Sequence, residues 1–320
     1  MGKPFEIQKT SIHPGQKVAT WLEVCQDFDG PVKIPLLVCN GQKSGKCLYV
    51  VSGLYGDEYA GMDAIYQLFR WLKPDEMSGI FLGVPMLNTP AFDLIKRTGP
   101  DEIILNRTGS GNAKGFLTEK ITKFFFDHIV SRADHGIEII DIGIYYKITS
   151  FVAPVRRRDG SLDLDYPKAY GTDLIWIGNA SPTVVRNAVG EAGVDVFMTE
   201  LGGEGRCLEE HVDFDVKGMK NVLNHLKMIK DESALDIPRY YLYDSFWMHS
   251  QSGGIFRSKL ELRQKVSKGE VLATIYDLLD RELEVIKSPH DGIIIGFRTV
   301  PRIRPGDWTV WVGRIIEEID

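Results

Sequence analysis

Between residues 47 and 229, buried-strand patterns and amphipathic-helix patterns alternate, and this order leaves few architectures open. Cys47-Leu48-Tyr49-Val50-Val51 is a continuous apolar run closed by Ser52-Gly53, as expected of a strand buried on both faces. Asp57-Glu58 then leads into a helical spacing of Ala60, Ala64, Ile65, Leu68 and Phe69, with acids where the helix dipole favours them. Residues 80–85 read as a second buried strand, 116–130 as a helix and 136–144 as a strand. Residues 182–192 read as a helix, 194–201 as a strand and 216–229 as a helix. Ahead of this series, alternation in 18–24 and 32–38, broken at Asn40-Gly41, predicts N-terminal strands. Such alternation implies an α/β layered fold, a sheet with helices on both sides.

Near Pro238 the texture changes to short β-like runs punctuated by glycine and proline. We therefore expect an α/β domain over 1–235, with N-terminal strands in 1–40, and a C-terminal all-β module over 236–320. Two stretches echo each other, Val266-Ser267-Lys268-Gly269-Glu270 and Ile303-Arg304-Pro305-Gly306-Asp307. Each is a hydrophobe, two residues, a glycine and an acid before a strand, which suggests internal pseudo-symmetry. The module resembles the β-sandwich of biotinyl and lipoyl carrier domains. Arg281 stands near the slot where a carrier has its acceptor lysine, and a guanidinium cannot form that amide, so a structural or gating role is expected.

With 43% hydrophobic and 26% charged residues the chain is expected to fold rather than remain disordered. A formal net charge of −6 provides no general attraction for nucleic acid or anionic lipid. No apolar run reaches the roughly 18 residues of a membrane span, and no apolar signal core follows Met1. Cys25, Cys39, Cys47 and Cys207 form no Cys-x-x-Cys pair, which fits reduced thiols and a cytoplasmic location. Cys207 follows a glycine-rich turn but shows no activating neighbour in sequence. The run Arg156-Arg157-Arg158 before Asp159-Gly160 reads as a solvated turn.

Several blocks occur in one order: Ser52-Gly53-Leu54-Tyr55-Gly56-Asp57-Glu58, Asn88-Thr89-Pro90-Ala91-Phe92 with Arg97, and Leu105-Asn106-Arg107. Ala133-Asp134 leading to Ile140-Asp141-Ile142-Gly143, Thr199-Glu200-Leu201-Gly202-Gly203, and the C-terminal pattern from Gly253-Gly254 to Gly306-Asp307 complete the series. Together they resemble the succinylglutamate desuccinylase/aspartoacylase family, relatives of zinc carboxypeptidases, and imply a zinc-carboxypeptidase-like mixed sheet flanked by helices. In that family a Gly-x-His-Gly-Asp-Glu block supplies two zinc ligands and an Asp-Leu-His the third. The fourth position is left to a water acidified by the metal. Here the first histidine position is Tyr55 and the third-ligand position is Gly143, so Glu58 alone is retained. The resemblance implies that Arg97, Asn106 and Arg107 bind the substrate's carboxylate and polarise its carbonyl, and that Glu200 is the general base and acid. After Asn106-Arg107 the chain departs from the family's usual Phe-Pro-Gly, with Thr108-Gly109-Ser110-Gly111.

No other histidine replaces the lost ligands. His135 lies about 26 Å from Gly143 if eight residues run as strand at roughly 3.3 Å each. His13, His128, His211, His225, His249 and His290 have no ligand spacing to Glu58. We therefore expect no conventional zinc site, and a cleft that takes a small anionic, N-acyl-amino-acid-like ligand. A single carboxylate base facing ordinary water makes efficient amide hydrolysis unfavourable. Two other outcomes are open at this level. One is an active amide or ester hydrolase that uses no metal, or a harder ion such as Mg²⁺ or Mn²⁺ held by Asp57, Glu58, Asp141 and the Tyr55 hydroxyl. The other is an assembly or regulatory subunit. A homo-oligomer is compatible with the sequence.

Overall fold

The computed structural model describes residues 2–156, 160–178, 181, 183–230 and 239–319. Arg157, Arg158 and Asp159 of the basic run, Pro182 and Pro238 lie outside them.

A mixed sheet forms the frame. Its centre is the parallel set Ser78–Val84, Lys43–Val51, His135–Ile140 and Asp195–Gly203. Gly30–Asn40 and Gln16–Asp27 extend one side antiparallel. Two apolar layers cover the faces. On one, Ala60, Ala64, Ile65 and Leu68 of helix Ala60–Trp71 pack with Val212, Met219, Val222 and Leu223 of helix Glu209–His225. On the other, Ile121 and Phe125 of helix Leu117–His128 and Val185 and Val189 of helix Val185–Glu191 cover Tyr49, Val51 and Ile140. The period of roughly 3.6 in these helices aims one stripe at the sheet. The alternation expected from sequence is therefore the observed α/β/α layering.

Three differences bear on the site. The strand expected over 136–144 ends at Ile140, and the chain turns through Asp141 and Gly143. The helix expected over 216–229 is Glu209–His225, because its first turn is Glu209-Glu210-His211 and carries no apolar signal. Strands Tyr146–Pro154 and Leu174–Trp176 did not figure in the sequence pattern.

Beyond Arg239 the described residues form strands only. Tyr240–Asp244 runs parallel to Leu174–Trp176, Trp308–Ile319 joins it antiparallel, and Gly292–Arg298 joins that. Gly292–Arg298 also pairs with Tyr146–Pro154, through Gly296 with Ile148 and Arg298 with Tyr146. Since Tyr146–Pro154 is bonded in turn to Leu174–Trp176, these strands close into a ring that joins the two sequence regions. A four-stranded sheet, in the order Glu282–Lys287, Val271–Tyr276, Gly254–Ser258 and Arg302–Ile303, lies against the ring over Phe256, Ile275, Ile294, Phe297 and Val310. The sequence echo is a repeated turn: Gly269 and Gly306 have φ +84° and +86°. Glu270 accepts the Ser267 N–H at 2.9 Å as Asp307 accepts the Arg304 N–H at 3.0 Å. Arg281 is held by Asp277 at the tip of the hairpin between Val271–Tyr276 and Glu282–Lys287.

Candidate active site

Parallel strands deliver the site residues to one place because their carboxyl ends coincide. The loop after Val51 is tied to the loop after Val84: Leu87 N–H donates to Ser52 C=O and Asn88 N–H to Gly53 C=O. Gly53 takes φ +63° there, a conformation glycine adopts without steric cost. Asn88 caps the short helix Thr89–Asp93 through its Oδ1, and Gly56 N–H donates to Lys96 C=O at 2.9 Å. This cross-tying fixes Tyr55, Asp57 and Glu58 beside Arg97. On the neighbouring strand ends, Glu200 pairs in register with Ile140, one residue before Asp141.

The Arg97 guanidinium lies over the Tyr55 ring, 3.7 Å from its centroid, and its Nη1 is 3.7 Å from Glu58 Oε1. The second distance is an ion pair rather than a hydrogen bond. Among the described residues the guanidinium makes no hydrogen bond to protein, although its side chain is only 34% exposed. Glu58 Oε2 accepts the Asp141 N–H at 3.1 Å and Asp141 Oδ1 the Gly143 N–H at 2.6 Å. Asp57 Oδ1, Glu58 Oε1 and Asp141 Oδ2 are buried and accept no hydrogen bond.

Burial pushes the Glu58 and Asp141 carboxyls well above the ordinary range, helped by repulsion from Asp141 and Asp57 on Glu58 and from Asp57 and Glu200 on Asp141, and burial raises Asp57 against the pull of Arg97. Burial raises Glu200 to about 7, although Arg97 and Arg186 pull it down. For Arg97, desolvation acts to lower the pKa, but Tyr55, Glu58, Asp57 and Glu200 around it leave it raised. Tyr55, Glu58, Arg97, Asp141, Gly143 and Glu200 thus share one electrostatic environment.

Asn106 and Arg107 differ from each other in placement. Asn106 is buried and its Oδ1 accepts the Val185 N–H at 3.2 Å, so its carbonyl anchors the helix Val185–Glu191. Arg107 is exposed and acts electrostatically on Arg186. Arg186 is the member that sequence reading missed. It is 5% exposed, its only hydrogen bond among described residues goes from Nη1 to Met198 Sδ at 3.4 Å, and it lies within the field of Glu138, Glu200 and Tyr55. The available signal was an arginine between Val185 and Val189 on the apolar face of a helix, since a buried arginine requires an anionic partner. Glu138 beside it is fully buried with both oxygens unbonded, and burial raises it to about 7.

The residues at the implied metal position do not fit a conventional zinc. The Tyr55 ring is covered by a cation, and Gly143 has no donor. Gly143 also takes φ +70°, and a β-carbon there would lie 2.8 Å from Asp57 Oδ2. Among the described residues no three His, Cys, Asp or Glu side chains are grouped to hold an ion.

One further backbone feature adjoins the site. Ile95, two residues before Arg97, has φ +52°, a left-handed conformation that costs a non-glycine residue roughly 1–2 kcal/mol.

Residues 44–226 match the family model described as the succinylglutamate desuccinylase/aspartoacylase catalytic domain. The chain is 28% identical over 302 residues to N-alpha-acetyl-L-2,4-diaminobutyric acid deacetylase of Halomonas elongata, covering 91% of this chain and 88% of that one. A succinylglutamate desuccinylase from Silicibacter sp. TM1040 superposes with a TM-score of 0.84 at 25% identity, over 94% of this chain and 95% of that one. The product-bound ectoine utilization protein EutE (DoeB) from Ruegeria pomeroyi also gives 0.84, at 27% identity over 93% and 95%. With a family match over more than half its length, the chain belongs to the succinylglutamate desuccinylase/aspartoacylase family.

Proposed function

We propose that this protein binds the carboxylate of a small N-acylated amino acid in the strand-end cleft, with the Arg97 guanidinium as the resident cation where the family pattern implies a metal. The observation that carries this reading is the seating of Arg97 on Tyr55 and beside Glu58. A guanidinium with free donors grips a carboxylate through two parallel hydrogen bonds. Exposed Arg107 and buried Arg186 add positive potential, and Asn106 ties down the start of the helix that carries Arg186. The ligand class follows from the Halomonas relative, named for deacetylating an N-acetylated diamino acid. We read the C-terminal strands as a biotinyl/lipoyl-like β module retained for structure.

A metal-free deacylase is the second reading, and Glu200 favours it. A carboxyl near 7 is divided between acid and base at neutral pH, as proton transfer in both directions requires. Without a metal the attacking water keeps a pKa near 15.7, so turnover on an unactivated amide should be slow.

Calorimetry with N-acetyl amino acids, paired with elemental analysis of the purified protein, tests the proposal. Binding is expected in protein that carries no stoichiometric zinc. Arg97→Ala should weaken it roughly tenfold to a hundredfold, the effect of losing a charge-assisted contact, and Arg107→Ala should weaken it less. One zinc per chain, lost on Glu58→Gln, would overturn the proposal and restore a conventional hydrolase.

A further inference from the structure

The left-handed backbone at Ile95 is held from three directions. Ile95 N–H donates to Phe92 C=O at 3.1 Å, Lys96 N–H to Ala91 C=O at 3.2 Å, and Lys96 C=O accepts the Gly56 N–H. A glycine would occupy that position without strain, yet the chain places a branched apolar side chain there and leaves it 65% exposed. Its neighbours are similar: Leu94 is 41% and Phe92 39% exposed. The Phe92 ring stands edge-on to Tyr59 at 6.1 Å, and Tyr59 lies within the field of the Asp57 and Asp141 carboxyls. The segment that carries these side chains is thus tied through Lys96 to Gly56, next to Tyr55, and ends at Arg97.

Apolar surface beside a cation with unused donors matches an amphipathic anion in both parts. We propose, resting on the carboxylate reading above, that Phe92, Leu94 and Ile95 form an apolar lip that selects ligands whose carboxylate is joined to a chain of several carbons. The strain at Ile95 has a role in this arrangement: it turns the side chain outward while the next residues return Arg97 to Tyr55. An acetylated amino acid would fill the arginine subsite and leave the lip wet. A medium-length acyl group would cover it.

The test is a homologous series, N-acetyl- to N-octanoylglycine, titrated calorimetrically into the full chain and into Ile95→Gly combined with Leu94→Ser. Glycine accepts the left-handed backbone, so the variant retains its fold at that position. In the parent, affinity should rise about two- to fourfold per added methylene, the range for partial to full burial. The octanoyl-to-acetyl affinity ratio, which cancels any general change in the carboxylate subsite, should fall at least about tenfold in the variant. A parallel arm of free alkanoates separates a ligand recognised through its amide from a simple fatty carboxylate, and a steep slope in either arm supports the lip. A ratio near one in the parent, or one unchanged by the substitutions, overturns the lip and leaves the carboxylate site standing. Failure of the acetyl member and every longer one to bind overturns the carboxylate site and the lip together.

Discussion

Gly143 has its backbone at φ +70°, with the Asp57 carboxylate 2.8 Å from where a β-carbon would project. Any larger residue meets both constraints at once. Gly143→Ala should therefore destabilise the protein by about 1–3 kcal/mol, measurable by denaturant unfolding. Histidine at the same position inherits that strain, so Tyr55→His with Gly143→His is opposed by the backbone as well as by Arg97. Site positions were legible in sequence where a buried strand ends and chemistry begins, as at Glu58, Asp141 and Glu200. What could not be read was conformation. Isoleucine does not advertise a left-handed backbone, and nothing near Arg186 in sequence shows that Glu138 and Glu200 face it.

Helix Glu209–His225 is docked partly by a polar contact, the Tyr170 hydroxyl donating to Asp215 Oδ1 at 2.8 Å in a fully enclosed setting. Burial raises the Asp215 carboxyl to about 7 despite this bond. Its folded pKa lies above the unfolded value near 3.9, so the folded state holds the proton more tightly. The associated stability is complete below about pH 4 and is lost as pH rises through about 7. Asp215→Asn keeps an acceptor for Tyr170 and removes the titration. Its unfolding free energy should be flatter between pH 4 and 8, by an amount on the order of a few kcal/mol. An unchanged pH profile would mean that this carboxyl does not titrate with folding. Elements were legible where apolar periodicity was strong. Strand Tyr146–Pro154 escaped because Lys147, Thr149 and Ser150 interrupt its pattern, and Leu174–Trp176 because three residues establish no period.

At the scale of the molecule, the change of texture near residue 238 marks where helices stop but not where the sheet stops. Strands on both sides of that point belong to one bonded ring. Sequence composition reports local pattern, and a ring is made by pairing between distant segments, so it leaves no local trace. A fragment ending at residue 230 would leave the edges of Tyr146–Pro154 and Leu174–Trp176 without partners and expose Phe151 and Trp176, which pack on Trp311. It should be recovered as aggregate, whereas a self-standing first domain would give a soluble monomer by size-exclusion chromatography.

The same ring sets an order of events during synthesis. Tyr146 finds its strand partner Arg298 only after some 150 further residues have been made. While they emerge, Arg186 and Glu200 of the candidate site among them, the outer edge of the Tyr146 strand waits unpaired. At roughly 5–20 residues per second that interval lasts from several seconds to about half a minute. Long-range pairing of this kind slows folding, because the closure entropy is lost before the contacts form. A nascent chain of this protein should therefore depend on chaperone protection until its last strands leave the ribosome.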